Sequence, residues 1–304
     1  MIIGNYDKAE KLYTRLLNRL REKLGESDPN VLDAMRGLAV TYDRQGKYND
    51  AEVLFKQCLD KRKVVLGENH RDTLDTMNHL ATTYCQQAKH SDAEILFKQC
   101  LHKQKVVLGD RHSSTLNTMH NLANTYIPQG KYNDAEVLYK QCLAISEVLG
   151  ENHQITLTTM GNLAGTYRRQ GKHNDAEALY KQCLDKRKAI AGESHPDTLT
   201  TMNNLALTYG HQGKYRDAEV LYKQCLDKMK VVLTDSHPDT LYAMNNLAVA
   251  YDRQGKYNDA EDLLKQCLDK RKMVLGDSHP DTLATMNNLA AASKLQAQVE
   301  GSLE

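Results

Sequence analysis

The sequence lacks tryptophan, contains only five prolines in 304 residues, and has no long apolar run. The scarcity of proline suits a mostly helical chain, because proline removes a backbone donor from a helix interior. No apolar stretch approaches the roughly 18 residues that span a bilayer. Met1 to Gly4 show neither the basic nor the long apolar region of a signal peptide. The formal net charge is +1 with both signs interspersed, whereas nucleic-acid binding needs a clustered basic excess. We therefore expect neither a membrane nor a nucleic acid as partner.

The dominant positive feature is a fixed internal period. A Gly-Lys-Tyr or Gly-Lys-His corner recurs along the chain, Ala88 replaces its glycine in one copy, and Gly4 opens a fragmentary copy. The steps between these positions are 42, 42, 42, 41, 42 and 42 residues. Such a period is typical of a repeat array, in which each unit packs on its neighbours and no second core is needed. The glycines of the complete corners are Gly46, Gly130, Gly171, Gly213 and Gly255.

One repeat, from Ser194 to Thr234, predicts two helices and a tight corner. Pro196 suits a first helical position, and Asp197 favours the positive end of the helix dipole. Apolar residues then follow at steps of three and four, which make one helical face, and the corner glycine ends that helix. A second apolar stripe of the same period follows the corner, and no segment alternates as a strand does. The two stripes are Leu199, Met202, Leu205, Ala206 and Tyr209, then Tyr215, Ala218, Leu221, Tyr222, Cys225 and Leu226.

The spacing Met202-x2-Leu205-Ala206-x2-Tyr209, followed by Ala218-x3-Tyr222, resembles the tetratricopeptide signature. The longer period and the closing Leu-Gly-x-x-His-Pro-Asp-Thr-Leu resemble the kinesin light chain repeats, and related arrays in nephrocystin-3-type and bacterial signalling proteins. HEAT and armadillo repeats have similar periods, but they do not predict this spacing of small and aromatic residues. The resemblance implies an all-α fold, an α-solenoid (superhelix) of antiparallel helix pairs.

We expect a single array over residues 1–304, with a partial first repeat over 1–28, six full helix pairs over 29–279 and a terminal helix or cap over 280–304. Because the array starts and stops within a repeat, we expect its end to be either a polar cap or the cut edge of a longer protein, with a larger multidomain chain or an oligomer as the possible context. The expected helices are a lone helix near 5–23, pairs near 29–66, 71–108, 113–149, 154–191, 196–233 and 238–275, and a last helix from 280.

The cysteines indicate a reducing compartment. Equivalent atoms of stacked repeats lie farther apart than a disulfide spans, so we expect free thiols and a cytoplasmic location. The repeated cysteines are expected to be small core residues that react slowly. Cys85, on the less apolar side of a first helix, is expected to react faster. The six repeated positions are Cys58, Cys100, Cys142, Cys183, Cys225 and Cys267.

No pattern in the sequence predicts catalysis, a cofactor or a metal. One histidine per repeat precedes the first helix, and we interpret it as a loop residue that bonds to backbone at the helix start. The repeated cysteine lies too far along its helix to complete a zinc site. The Gly-Lys corners lack the serine or threonine and the earlier glycine of a phosphate-binding loop. The histidines are His70, His112, His153, His195, His237 and His279.

The family resemblance places the binding groove on the first helices. Positions are counted from the core leucine of each first helix. We expect the groove to receive the side chains one, two and five residues before that leucine and those two, five and six residues after it. The immediate predecessor is asparagine in five copies, and its amide can pair with a peptide backbone; the alternative is a solvated side chain or a bond within the repeat. Positive or titratable groups on this face are offset by Asp33, Asp43, Asp75 and Asp252; they are Arg36, Arg44, Arg168, Arg169, His211 and Arg253. The basic spot near Arg168 and Arg169 suits a short acidic or mixed linear motif, and the alternative is an ordinary solvated face. The candidate groove residues are Asn121, Asn124, Asn162, Arg168, Arg169, Asn203, Asn204, His211, Asn245, Asn246 and Arg253.

An irregular stretch near 126–165 is the expected weak point and the preferred peptide site. Pro128 removes a helix hydrogen bond, the second helix ending at Gly150 is one residue short, and Gly161 and Gly165 share one helical face. Missing side chains at these glycines would deepen the groove; drift within an expanded array would explain them equally well.

The sequence thus predicts a non-enzymatic protein–protein interaction adaptor of the kinesin light chain type that binds a linear peptide. The alternative is a regulatory sensor array of a larger signalling ATPase. A heptad coiled coil upstream in the complete gene would favour the first, and a phosphate-loop domain would favour the second.

Overall fold

Helices account for nearly all of the chain. The computed structural model describes residues 3–146, 150 and 153–301, and within these ranges it contains no strand. Every expected helix is present close to its predicted bounds, which confirms the all-α repeat architecture. The helices in the described ranges are α1 (Ile3–Leu24), α2 (Pro29–Arg44), α3 (Tyr48–Val65), α4 (Arg71–Gln86), α5 (His90–Val107), α6 (Ser113–Tyr126), α7 (Tyr132–Ser146), α8 (Gln154–Arg169), α9 (His173–Ala191), α10 (Pro196–His211), α11 (Tyr215–Val232), α12 (Pro238–Asp252), α13 (Tyr257–Leu275) and α14 (Pro280–Gly301).

The chain divides into two compact units, an N-terminal unit (Met1–Thr159) and a C-terminal unit (Met160–Glu304), and the boundary falls within α8. In each unit a second helix packs against the first helix of its own repeat and against that of the next repeat, as α3 does with α2 and α4. Each unit is therefore an α-solenoid of antiparallel helix pairs. None of the helices in the described ranges is both long and apolar enough to cross a membrane.

The repeated histidine caps the first helix. In α10 the Nδ1 atom of His195 accepts the backbone N–H of Asp197 at 3.2 Å, which satisfies a donor that the helix itself leaves open. His70, His112, His153, His237 and His279 accept the N–H two residues on in the same way, at 3.1 to 3.3 Å. The interpretation of these histidines as backbone-bonding loop residues is confirmed.

The corner that follows each first helix needs a left-handed residue. Gly213 has φ +75°, a conformation that glycine adopts without steric cost. Ala88 occupies the same conformation in its repeat, with φ +58°, although a Cβ there meets the following carbonyl oxygen. The corner geometry is thus kept at a local cost where alanine replaces glycine.

The repeated cysteine is a small core residue at the contact between paired helices. In α11, Cys225 is fully buried and its Sγ lies 3.3 Å from the carbonyl oxygen of Leu199, to which it donates. Burial raises the pKa of this thiol to about 12. The six repeated cysteines are all buried and free, as predicted.

A glutamate–lysine clamp joins successive repeats at the corners. The Glu219 carboxylate on α11 accepts from Lys223 at 2.7 Å and from the corner Lys256 of the next repeat at 2.6 Å. Gln254 donates to the same carboxylate at 2.9 Å, and Lys256 lies over the Tyr251 ring, 5.5 Å from its centroid. Glu52, Glu94 and Glu177 form equivalent clamps with their own lysines. The lysine of the corner motif therefore has a structural role between repeats.

Three second helices carry a buried arginine near their C-terminal ends, and this side chain makes another contact between successive repeats. Arg62, only 2% exposed, donates through Nη1 to the Asp72 carbonyl at 2.7 Å and to Thr76 Oγ1 at 3.0 Å. Its Nη2 donates to the Asp33 carboxylate. Arg187 and Arg271 reach the matching carbonyls of Asp197 and Asp281, each at 2.6 Å.

The third full repeat is irregular at the end of its first helix. Helix α6 has 14 residues and ends at Tyr126, two residues before Pro128. The predicted shortening of the following helix falls on residues 147–149 and so lies outside the described residues.

Candidate peptide-binding grooves

The first helices form an inner face in each unit. Helix α4 contacts both α2 and α6 in the N-terminal unit, and α12 contacts both α10 and α14 in the C-terminal unit. One cavity opens on this face in each unit, and most of its lining residues occupy positions obtained by counting from the core leucines.

The cavity of the C-terminal unit lies between α10, α11 and α12 and has a volume of about 440 Å³. Three residues predicted from the sequence line it: His211, Asn246 and Arg253. Apolar groups and a tyrosine complete its wall, so a ligand would meet both hydrocarbon and polar atoms, as is common in binding pockets. The full lining is Leu207, Gly210, His211, Tyr215, Tyr222, Asn246, Val249, Ala250 and Arg253.

Tyr222, which comes from the second helix α11, was not among the residues predicted from the sequence. Its side chain is only 2% exposed yet reaches the cavity. Burial raises the pKa of its phenol well above the ordinary value, so the hydroxyl stays neutral and can donate or accept. The signal was available in the sequence, because tyrosine replaces the phenylalanine found at the same position in two earlier repeats, Phe55 and Phe97.

Asparagine amides connect neighbouring first helices in a ladder. Asn121 Nδ2 donates to Asn78 Oδ1 at 3.2 Å, and Asn288 Nδ2 donates to Asn245 Oδ1 at 3.2 Å. The candidate residues Asn121 and Asn245 thus already bond to the scaffold, between repeats rather than within one. Asn124 is engaged as well, because its Oδ1 accepts from the Tyr139 hydroxyl.

The asparagine–asparagine hydrogen bond is missing beside the cavity of the C-terminal unit. The atoms equivalent to the bonded pairs are Asn246 Nδ2 and Asn203 Oδ1, and both are buried without a hydrogen-bond partner among the described residues. Leaving such a group unsatisfied costs about 1–3 kcal/mol. Of these two residues only Asn246 lines the cavity, where its side chain adjoins the Tyr222 hydroxyl.

The preceding first helix, α8, has no asparagine at the position that would accept a hydrogen bond from Asn204 as in the other pairs. Gly161 occupies the position that Asn203 and Asn245 hold in later repeats, and a Cβ added at Gly161 would meet nothing within 4 Å. Gly165 differs, because a Cβ there would lie 3.1 Å from the Tyr180 hydroxyl. The expectation that both glycines deepen the groove is therefore wrong for Gly165, whose missing side chain makes room for that tyrosine.

The two arginines at the end of α8 have different surroundings. Arg168 is half-buried, and its Nη1 lies 3.4 Å from Nε2 of His211, whose ring stacks on His173 at a centroid distance of 5.5 Å. Burial, Arg168 and His173 lower the pKa of His211. Arg169 is exposed. Asn162 is half-buried on the same helix.

The candidate residues are divided between the units. Asn121 and Asn124 belong to the N-terminal unit, and the other nine belong to the C-terminal unit. The inner face of the N-terminal unit has its own cavity of about 450 Å³. It is lined by Val40, Asp43, Arg44, Phe55, Asp75, Asn78, His79, Thr82, Gln86, Gln104, Ser114, Asn117 and Asn121.

Gln104 is the least expected member of this lining. Its side chain is fully buried, and neither its amide oxygen nor its amide nitrogen has a partner among the described residues. Arg62, Arg187 and Arg271 occupy the equivalent position in other repeats. Comparing the copies position by position would have revealed this replacement of arginine by glutamine.

The described part of the chain contains no group of three or more histidine, cysteine, aspartate or glutamate side chains that could hold a metal ion. The inner face presents amides, a tyrosine hydroxyl and charged side chains beside apolar surface.

Comparison with known proteins identifies the repeat. A family model described as tetratricopeptide repeat matches residues 1–63, 114–189, 184–230, 197–273 and 239–300, and a second model of that description matches 73–114. Comparison with curated proteins finds no match.

Solved structures include similar arrays. A Podosopora anserina protein assigned as a kinesin light chain, with nearly identical TPR-like repeats, is 25% identical with a TM-score of 0.60; the match covers 66% of this chain and 95% of that one. A signal transduction ATPase with numerous domains from Pyrococcus horikoshii, which carries a tetratricopeptide repeat sensor, is 16% identical with a TM-score of 0.71. That match covers 94% of this chain but 41% of the ATPase, and it shows the fold alone.

Proposed function

Because the chain belongs to the tetratricopeptide repeat family, we propose that it is a non-enzymatic protein–protein interaction scaffold of the kinesin light chain type. Its inner face would capture a short linear peptide of a partner protein. The binding residues would be Asn121, Asn124, Asn162, Arg168, Arg169, Asn203, Asn204, His211, Asn245, Asn246 and Arg253.

The observation that carries the proposal is the cavity of the C-terminal unit. It combines the Asn246 side chain, which adjoins the neutral Tyr222 hydroxyl, with the apolar side chains of Leu207 and Val249. An extended peptide has unpaired backbone N–H and C=O groups, and an asparagine amide can bond to both. A peptide side chain would at the same time bury apolar surface against the cavity wall.

The charges of this unit favour an acidic or mixed peptide. Arg253 is exposed at the cavity edge, and Arg168 lies beside His211, another lining residue. Guanidinium groups pair with carboxylates through two parallel hydrogen bonds. Asp252, the last residue of α12 and the neighbour of Arg253, adds one negative charge.

The experiment is a screen of acidic and mixed peptides against the full chain, followed by affinity measurements on the selected peptide. Asn246→Ala and Arg253→Glu should each weaken binding about tenfold or more, as expected when a buried amide or a charged contact is lost. Arg216→Glu is a matched charge reversal on the exposed side of α11 and should leave affinity unchanged. If the two inner-face variants bind as tightly as the parent, the peptide site is elsewhere.

A second candidate is a sensor array that regulates a larger signalling ATPase. It is supported by the match to the sensor-bearing ATPase, which covers 94% of this chain. The complete gene discriminates between the two candidates, because a phosphate-loop domain joined to the array would favour the sensor and a heptad coiled coil would favour the adaptor.

We also propose a cytoplasmic location. Seven free cysteines, six of them buried, fit a compartment that keeps thiols reduced.

A further inference from the structure

We propose that the cavity of the N-terminal unit is a receptor for a guanidinium group, supplied by an arginine side chain of an extended partner peptide. The inference rests on the proposed function, since the arginine is taken to belong to a peptide on the inner face. It adds the requirement that the ligand of the N-terminal unit carry a positive charge, whereas the C-terminal unit favours ligand carboxylates.

The preceding repeat contains the template for this site. There the chain's own Arg62 inserts a guanidinium between two first helices. Its Nη2 meets the Asp33 carboxylate on α2, and its Nη1 meets the Asp72 carbonyl on α4 at 2.7 Å. A carboxylate on one first helix and a backbone carbonyl on the next thus hold one guanidinium from both sides.

The next repeat keeps the acceptors and lacks the arginine. Moving each residue of the template by one period of 42 positions replaces Asp33 by Asp75, Asp72 by Ser114 and Arg62 by Gln104. Asp75, Ser114 and Gln104 all line the cavity. The carboxylate and the carbonyl of the template are therefore retained, and the residue that would supply the guanidinium is too short to reach them.

The glutamine leaves its own end unsatisfied. Gln104 is 0% exposed, and both polar atoms of its amide lack a partner among the described residues. The Asp75 carboxylate is half-buried, and its interactions found in the described part of the chain are charge effects on His79 and Cys100. Buried polar groups are rarely left unpaired without a functional reason. An entering guanidinium could donate to the Asp75 carboxylate, to the Ser114 carbonyl and to Gln104 Oε1 together.

The other repeats do not combine these features. Arg187 and Arg271 supply their own guanidinium groups, and Met229 offers no polar atom. The residues that replace Asp75 in the later repeats are Asn117, Thr158, Thr200 and Tyr242, none of which is a carboxylate. The sequence therefore selects one repeat for this ligand.

The chemistry favours guanidinium over ammonium. Guanidinium is planar and presents five donors in a rigid fork, which suits acceptors on opposite sides, whereas an ammonium is a compact and strongly hydrated charge. The charged lining residues are Asp43, Asp75 and Arg44, which carry one net negative charge when both carboxyls are ionised. Burial raises the pKa of Asp43 and lowers the pKa of His79, the remaining titratable group. The cavity is thus suited to a single positive charge.

The test uses the full chain and a small probe, N-acetyl-arginine methylamide, titrated by NMR. N-acetyl-citrulline methylamide is its neutral counterpart of the same shape and should bind at least tenfold more weakly. Asp75→Asn should weaken binding of the arginine probe at least tenfold. Asp33→Asn is the matched control, because Asp33 is already paired with Arg62, and it should leave probe affinity unchanged.

The variant Gln104→Arg should fill the site from within. By the template of Arg62, the new side chain would reach Asp75 and Ser114, so binding of the probe should be lost and the thermal midpoint should rise. Equal binding of the arginine and citrulline probes, unchanged affinity in Asp75→Asn, or retained probe binding in a folded Gln104→Arg protein would each overturn the proposal.

The same measurements separate this inference from the proposed function. If a partner peptide binds and replacing its arginines by citrulline does not weaken it, the guanidinium site fails while the peptide groove stands. If the probe binds in a manner dependent on Asp75 but no peptide in the screen binds, the site is supported and the peptide-groove function fails.

Discussion

The glutamate–lysine clamps should make the array sensitive to acid. In the folded chain the lysines and a glutamine hold the pKa of Glu219 at about 2, against an ordinary value of 4.5. Glu52, Glu94 and Glu177 are lowered to about 2 in the same way. A lowered pKa means that the carboxylate stabilises the folded state fully above about pH 4.5 and that this contribution is lost as the pH falls toward 2.

The magnitude follows from the pKa difference and from solvent exposure. A shift from 4.5 to about 2 corresponds to at most about 3 kcal/mol at neutral pH. The Glu219 side chain is 13% exposed, but its partners Lys223 and Lys256 are 51% and 40% exposed, so solvent screens the pair. We therefore expect about 1 kcal/mol for each clamp, and about 4 kcal/mol for the four together, to be lost by about pH 2.

The assay is urea denaturation of the parent and of Glu219→Gln at several values between about pH 7 and pH 2. The variant should be about 1 kcal/mol less stable at pH 7 and should lose less stability on acidification. Glu261→Gln is a matched control, because Glu261 bonds Lys265 at 2.7 Å on its own helix and has no corner lysine as a second partner in the described part of the chain. The reasoning is refuted if parent stability does not change with pH, or if both variants show the same pH dependence.

Three further predictions concern single positions in the repeat. Ala88→Gly should raise the free energy of unfolding by about 1 kcal/mol, because φ is +58° there. Gly213→Ala should lower the free energy of unfolding by a comparable amount. A lower melting temperature for Ala88→Gly, or a higher one for Gly213→Ala, would contradict the strain argument. A thiol reagent should modify half-buried Cys85 first, though slowly because burial raises the pKa of its thiol, and the six buried cysteines only as the chain unfolds; equal rates in mass spectrometry would refute this. Gly161→Ala should stabilise the chain by up to about 1 kcal/mol, whereas Gly165→Ala should gain less because its Cβ lies 3.1 Å from the Tyr180 hydroxyl; equal denaturation midpoints would count against that contact.

The helices and the chemistry of their ends could be predicted from the sequence. Local backbone geometry accounts for the period of about 42 residues, for the steps of three and four between apolar residues, and for the corner glycines. The same local pattern recurs in each repeat. The predicted bounds of α10 and α11 were therefore accurate to within a residue or two. The role of His195 at a helix start and the burial of Cys225 were likewise accessible, because neither depends on a distant part of the chain.

Which polar groups are available to a ligand became apparent from the packing of neighbouring repeats. Asn121 and Asn246 occupy the same position of the repeat, yet the Asn121 amide bonds to Asn78, whereas the Asn246 side chain adjoins Tyr222 and does not bond to the equivalent Asn203. Gly161 and Gly165 look alike in the sequence, and only one of them leaves open space. Gln104 became informative once its cavity was seen to include Asp75. The physical reason is that hydrogen bonding acts over about 3 Å, so the availability of each group depends on which atoms of the neighbouring repeat lie against it.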